Sequence, residues 1–153
     1  MKGSYVLLLE LSEEREVTVG KLGTILFPAG SYAYVGSAMG GLESRIRRHI
    51  RSSKKLHWHI DYLLQQASIT DIIVGENGAG TKNECAISRA LAAAADHMPG
   101  FGCSDCACKS HLYFHSERDT LMTEAKRAFT EAGLNPQSWS DFQEATITAR
   151  SES

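Results

Sequence analysis

Residues 5–11, Tyr-Val-Leu-Leu-Leu-Glu-Leu, constrain the fold more than any other stretch of the chain. The run has the length of a strand, and strand side chains alternate between faces, so it carries apolar groups on both sides. Such a strand has to be buried. Around it, short strands and helices are interspersed. Residues 16–19 and 25–27 read as short strands punctuated by Gly20 and Gly23. After a turn at Pro28–Gly30, residues 31–37 form a strand rich in Tyr and Val. Gly40 and Gly41 break it. A helix is expected from Leu42 to Ser52, with Leu42, Ile46 and Ile50 as its apolar stripe. A second helix over residues 58–66 turns Ile60, Leu63 and Leu64 inward, and residues 69–74 read as another strand. Thr81 as N-cap and Glu84 three residues later make a capping box for an alanine-rich helix reaching Ala95. Residues 99–109 are a Gly/Cys loop, residues 111–115 a short strand, and Ser116 caps a last helix ending near Gly133. The tail beyond it is expected to be irregular and loosely packed. The expected class is α+β around a small sheet.

With 153 residues, 42% of them apolar and 22% charged, the chain reads as one globular domain with a core of its own. No apolar run approaches a membrane span, and the N-terminus lacks the plan of a signal peptide, so the expectation is a soluble cytoplasmic protein without a membrane partner. Of four cysteines, Cys103, Cys106 and Cys108 fall within six residues. In such a chain that clustering points to metal or redox chemistry more than to disulfides.

The net charge is only −2, yet six of the 16 Lys and Arg lie between Arg45 and Lys55. A local basic patch on a neutral protein is a footprint for a polyanion, most simply nucleic acid; the alternative is a solvated helix face. Helical geometry separates two sets. Arg45 and His49 lie on one edge of the apolar stripe and should point along the sheet toward the Tyr-rich strand. Arg47, Arg48 and Arg51 should face solvent, placed with Lys54, Lys55 and His57 to grip a phosphate backbone. Tyr32 and Tyr34 share a strand face. A tyrosine hydroxyl beside an arginine has its phenolate favoured by the positive charge and can then act as a general base. Glu84, heading a helix after a Gly-rich loop, is a candidate to hold a divalent cation.

These residues resemble the GIY-YIG nuclease family. Gly3-Ser4-Tyr5 stands where the family has Gly-Ile-Tyr, and Tyr34-Val35-Gly36 matches Tyr-Ile-Gly. Arg45 matches the family's helix arginine, His49 the histidine one turn on, and Glu84 the metal-binding glutamate. The blocks YVGSAMGGLESRIRRH, KKLHWHIDYLL and GFGCSDCACKSHLYF are similar to the branch called Uri-superfamily endonucleases, and the matching blocks extend from Gly3 to Phe114. Two departures stand out: Ser4 replaces the middle Ile, and 28 residues separate Tyr5 from Tyr34 where a short hairpin is usual. That insertion is expected to form extra strand structure. The resemblance implies a small central, largely antiparallel sheet flanked by helices. Residues 1–115 would be the nuclease domain, with 116–153 a C-terminal helix and tail packed on it. It implies phosphodiester hydrolysis, with Tyr5 and Tyr34 jointly activating water, Arg45 steadying the phosphate and Glu84 binding Mg²⁺ or Mn²⁺. The implied partner is nucleic acid, DNA ahead of RNA.

Blander readings stand beside these. The tyrosines could be core aromatics with wetted hydroxyls, and Glu84 could serve only its capping box. His57, His59 and Asp61 make an incomplete zinc set and instead line the groove or hydrogen-bond the loop after the basic helix. Cys103, Cys106, Cys108 and His111 suit tetrahedral zinc in ligand number, though their spacing is tight. The alternative functions are a non-catalytic nucleic-acid-binding module and, more weakly, a zinc-binding Cys-loop protein.

Overall fold

The computed structural model describes residues 2–38, 40–51, 55–76, 83–102 and 110–144. Lys54, Thr81, Cys103, Cys106 and Cys108 lie outside the described residues. In chain order the elements are β1 (Gly3–Leu11), β2 (Arg15–Thr18), β3 (Thr24–Phe27), β4 (Gly30–Ala38), α1 (Leu42–Ile50), α2 (His59–Leu63), β5 (Ser68–Glu76), α3 (Glu84–Ala92), β6 (Asp96–His97), β7 (Leu112–His115), α4 (Arg118–Glu131) and β8 (Gln137–Ser138). A single 3₁₀ turn, Gly20–Leu22, joins β2 to β3.

Six strands make one antiparallel sheet in the order β6-β7-β4-β1-β5-β8. The apolar run of β1 is central, as its composition requires. Tyr5, Leu7, Leu9 and Leu11 pack with Leu42 and Ile46 of α1 and Ile60 and Leu63 of α2. Val6 and Leu8 face the other way, into Ile87 and Leu91 of α3 and Leu121, Ala125 and Phe129 of α4. The sheet is thus a filling between two helical layers, and each of its buried leucines contributes about 1.5–3 kcal/mol. The residues inserted between the two tyrosine motifs form the hairpin β2-β3, a separate two-stranded sheet.

Four local expectations are corrected. Ile50 is 52% exposed, and His49 takes the interior position in its place. At 100° per residue His49 lies nearer than Ile50 to the centre of the Leu42–Ile46 face. The second helix is confined to His59–Leu63. Helix α3 begins at Glu84 with Asn83 at its N-cap and no side-chain capping bond, so Glu84 is not the distal member of a capping box. Lastly, α4 has Glu117 rather than Ser116 at its N-cap, and the segment after it is not loosely packed. Leu134 N–H closes α4 on Phe129 O at 2.9 Å, β8 extends the sheet beside β5, and Trp139 and Phe142 stack within the core.

No helix among the described residues is long and apolar enough to cross a membrane.

Candidate active site

The site is assembled at the end of the sheet where β1 begins and β4 finishes. Tyr5 pairs across the ladder with Gly36, and Leu7 with Tyr34, so both tyrosines project from the same face as α1. Gly36 is required by this arrangement. A β-carbon there would come within 2.4 Å of Cζ and of the hydroxyl of Tyr5, so the bare backbone is what lets the ring lie flat across β4. Gly41, with φ at 140°, turns the chain from β4 into α1. That turn lays α1 back over the sheet and carries Arg45 and His49 to the tyrosines.

The Tyr5 hydroxyl is 2.7 Å from His49 Nε2, a hydrogen bond buried in the core. Tyr34 stands edge-on to His49 at 6.2 Å and to Phe101 at 6.2 Å between ring centroids. Arg45 donates to the Ser37 carbonyl at 3.0 Å and borders Tyr5 closely enough to pull its phenol toward ionisation. Burial wins that contest. Desolvation raises the Tyr5 pKa above its usual value; Arg45 opposes the shift, while Glu84 and Asp61 add to it. Tyr34 is likewise raised by burial, with Tyr5 and Glu84 adding to the shift and Arg45 opposing it. The expectation that a neighbouring arginine favours the phenolate is therefore corrected: without a bound ligand both phenols keep their protons at neutral pH. A buried oxyanion lacks water, and one half-buried guanidinium does not replace it.

Glu84 sits at the first position of α3 and is half-buried. Its charge is felt at Tyr5, Tyr34 and His111, which places it at the same end of the sheet. It makes no hydrogen bond or ion pair to a described residue, so its oxygens remain open to a ligand. Among the described residues no three His, Cys, Asp or Glu converge on one point. A single half-buried carboxylate with open oxygens suits Mg²⁺, which commonly takes one or two carboxylates and completes its shell with water and substrate phosphate. His111 is buried beside Ser88, whose Oγ lies 3.4 Å from its Nδ1, and burial lowers its pKa against the opposing effect of Glu84.

The basic helix divides differently from expectation. Arg47 and Arg51 are exposed, as are Lys55 and His57 on the segment that follows. Arg48 does not face solvent with them. Its guanidinium forks onto both oxygens of the fully buried Asp61, each at 2.9 Å, and reaches the Lys55 carbonyl at 3.1 Å. Asp61 also accepts the backbone N–H groups of His57 and Trp58, each at 2.9 Å. Burial alone would raise this carboxyl; the bonds from Arg48, Trp58 and His57 reverse that and bring it down to about 2. His59 is turned away from His57 and Asp61, its Nδ1 accepting Gly102 N–H at 2.8 Å. The HWHID segment thus ties down the chain after the basic helix.

Trp58 is the residue that sequence reasoning missed. The Arg48 and Arg45 guanidiniums lie 4.1 and 4.4 Å from its ring centroid, and His49 packs 5.8 Å from it. Arg45 and Arg48 are three apart on one helix face, so a single aromatic can serve both. That spacing was the available signal.

A model of the family described as "Domain of unknown function DUF123" matches residues 4–134. No curated protein and no solved structure matches the chain.

Proposed function

The chain belongs to the DUF123 family, a GIY-YIG-like, nuclease-related family of the Uri superfamily, and from that membership we propose that it is a metal-dependent endonuclease. The observation that carries the reading is the buried Tyr5–His49 hydrogen bond, with Arg45 alongside and Glu84 at the same end of the sheet.

The protonated state of Tyr5 shapes the mechanism. With its own proton on Nδ1, His49 accepts the Tyr5 hydroxyl proton at Nε2. As that proton moves to His49, the Tyr5 oxygen takes one from water, and the water oxygen attacks phosphorus. The bond to the leaving oxygen breaks, and that oxygen takes up a proton from solvent water. Tyr5 is never a lasting phenolate, which its burial would penalise. Arg45, held by Ser37 and Trp58, faces the charge that gathers on the phosphate in the transition state. Tyr34 walls the site and excludes water. A Mg²⁺ or Mn²⁺ ion held by Glu84 would supply charge stabilisation for the leaving oxygen. Arg47, Arg51, Lys55 and His57 form the surface that grips the backbone, with DNA favoured over RNA as partner.

The test is a cleavage panel: single-stranded, double-stranded and branched DNA and RNA, each with Mg²⁺, Mn²⁺ or chelator. Cleavage that needs the divalent ion and is lost in Tyr5→Phe and Glu84→Gln is the expected result. Binding without cleavage under every condition would make the chain a non-catalytic nucleic-acid-binding module instead.

A further inference from the structure

Beside the catalytic cluster, with His49 in its wall, lies an open groove of about 730 Å³. It runs between the C-terminal end of α1, α2, the first half of β5 and the turn after β8. Its size falls within the ~300–1,000 Å³ of sites that hold small ligands. The floor is apolar, built from Leu64, Ala67, Ile69 and Ile72. Gln65, Ser138 and Ser140 set polar groups along the lip.

Two features say what the groove takes. The first is charge. Of the carboxylates in the wall, Asp61 is committed to Arg48 and Asp71 to Arg118. The α1 end carries the exposed guanidinium of Arg51, so an anion is favoured there. The second is Ile50, the half-exposed isoleucine that leaves the core to His49. It lies on the groove next to exposed Arg51, an apolar group beside a cation. A phosphate at the cationic end next to a flat apolar group over the floor is the outline of a nucleotide. A duplex keeps its base faces stacked inside, and only an unpaired base can lay a face on such a floor.

We infer that the groove receives one unpaired base of the nucleic-acid strand, next to the phosphate at His49, and that the substrate class is therefore single-stranded or locally unpaired. The position of the phosphate rests on the nuclease reading; occupation of the groove does not require cleavage. Ile50 and the groove lip then select strandedness, while Arg47 and Arg51 supply sequence-independent grip.

The test is binding in chelator, by fluorescence anisotropy, of short oligothymidylate, oligouridylate and a DNA duplex. Ile50→Ala removes the exposed apolar contact, and Ser140→Trp fills the lip; both positions are exposed, and unchanged melting temperatures confirm folding. Each variant is expected to weaken single-strand binding at least about fivefold, the lower range for one lost base contact, with duplex binding unchanged. An abasic residue walked along the strand should reproduce the loss at one position in the wild type and add nothing in Ile50→Ala. The DNA and RNA arms then tell which sugar the site accepts. Equal losses for duplex and single strand, no loss for either, or an abasic residue tolerated everywhere overturns the proposal. Wild-type protein that binds neither form overturns it together with the nuclease reading. Strand-selective binding without Mg²⁺-dependent cutting leaves the groove standing and removes only the nuclease.

Discussion

Asp61→Asn tests how far the site depends on one buried ion pair. The wild-type carboxylate accepts four hydrogen bonds, two from Arg48 and two from backbone N–H groups, and is fully buried, while a fifth of the Arg48 side chain reaches water. Asparagine keeps the shape but has one acceptor oxygen. If that oxygen serves the His57 and Trp58 N–H groups, its amide donors confront the donors of Arg48. Breaking a buried pair in this way costs about 3–5 kcal/mol. The partial exposure of Arg48 lets water relieve some of that, so about 3 kcal/mol is expected. For a domain of this size that lowers the melting temperature by about 6–12 °C. The pH dependence follows from the depressed carboxyl. Its folded pKa of about 2 lies below the ordinary 3.8. The charged form therefore stabilises the fold by roughly 2 kcal/mol above the unfolded pKa. That contribution is lost as pH falls through about 4 toward 2, and the variant has no such carboxyl to titrate. Urea unfolding at neutral pH and through the acid range should show a gap that narrows in acid. A double-mutant cycle with Arg48→Met should give a coupling well above 1 kcal/mol in magnitude. A neutral-pH loss under about 1 kcal/mol, or a gap indifferent to pH, would refute the assignment of Asp61 as the anchor of this segment.

The other arginines should behave differently. Arg47→Ala with Arg51→Ala is expected to leave stability within about 0.5 kcal/mol and to flatten the log–log salt dependence of nucleic-acid binding by roughly one unit per lost phosphate contact. Arg48→Ala should instead act first on the melting temperature. Tyr5→Phe leaves His49 Nε2 without its hydroxyl and should cost about 1–2 kcal/mol of stability and about 10²–10⁴-fold in cleavage rate, measured under single turnover. Tyr34→Phe has no hydrogen bond to a described residue to lose and still walls the site, so rate and melting should both stay near wild type; a rate loss with unchanged melting would give its hydroxyl a part in the chemistry. Glu84→Gln should spare the fold to within about 2 kcal/mol, the most a half-buried first-turn carboxylate adds through the helix dipole, while ending divalent-dependent activity; the reverse pattern would make it a structural residue. Gly36→Ala drives a β-carbon into the Tyr5 ring and should cost about 1–3 kcal/mol, together with activity, because the hydroxyl must leave His49.

What the sequence by itself determined lies in short-range pattern. Seven residues with apolar groups on both faces sufficed to place β1 inside a sheet between two layers, because no other environment accepts them. Period-two alternation put Tyr32 and Tyr34 on a common face, and the β1–β4 register then brought Tyr5 to that face. The tight break at Gly40–Gly41 announced a helix folding back with Arg45 on its sheet-facing edge. Helical angle already favoured His49 for the inward position; the tertiary structure decided whether a histidine could be buried there in place of isoleucine, and which charge finds a partner. His49 and Ile50 are adjacent, and hydropathy favours burying the isoleucine. His49 goes inside because Tyr5, 44 residues earlier, offers its ring nitrogen a buried hydrogen bond. Arg48 looked like part of a solvent-facing set, and became structural because Asp61, 13 residues on, is held beneath it by two backbone N–H groups. The tail looked loose because β8 has no apolar pattern of its own. Its described part, up to residue 144, is ordered by the open edge of β5, which leaves Trp139 and Phe142 a core to enter. In each case the stabilising partner is distant in sequence, and local periodicity carries no information about a contact made only after the sheet has closed.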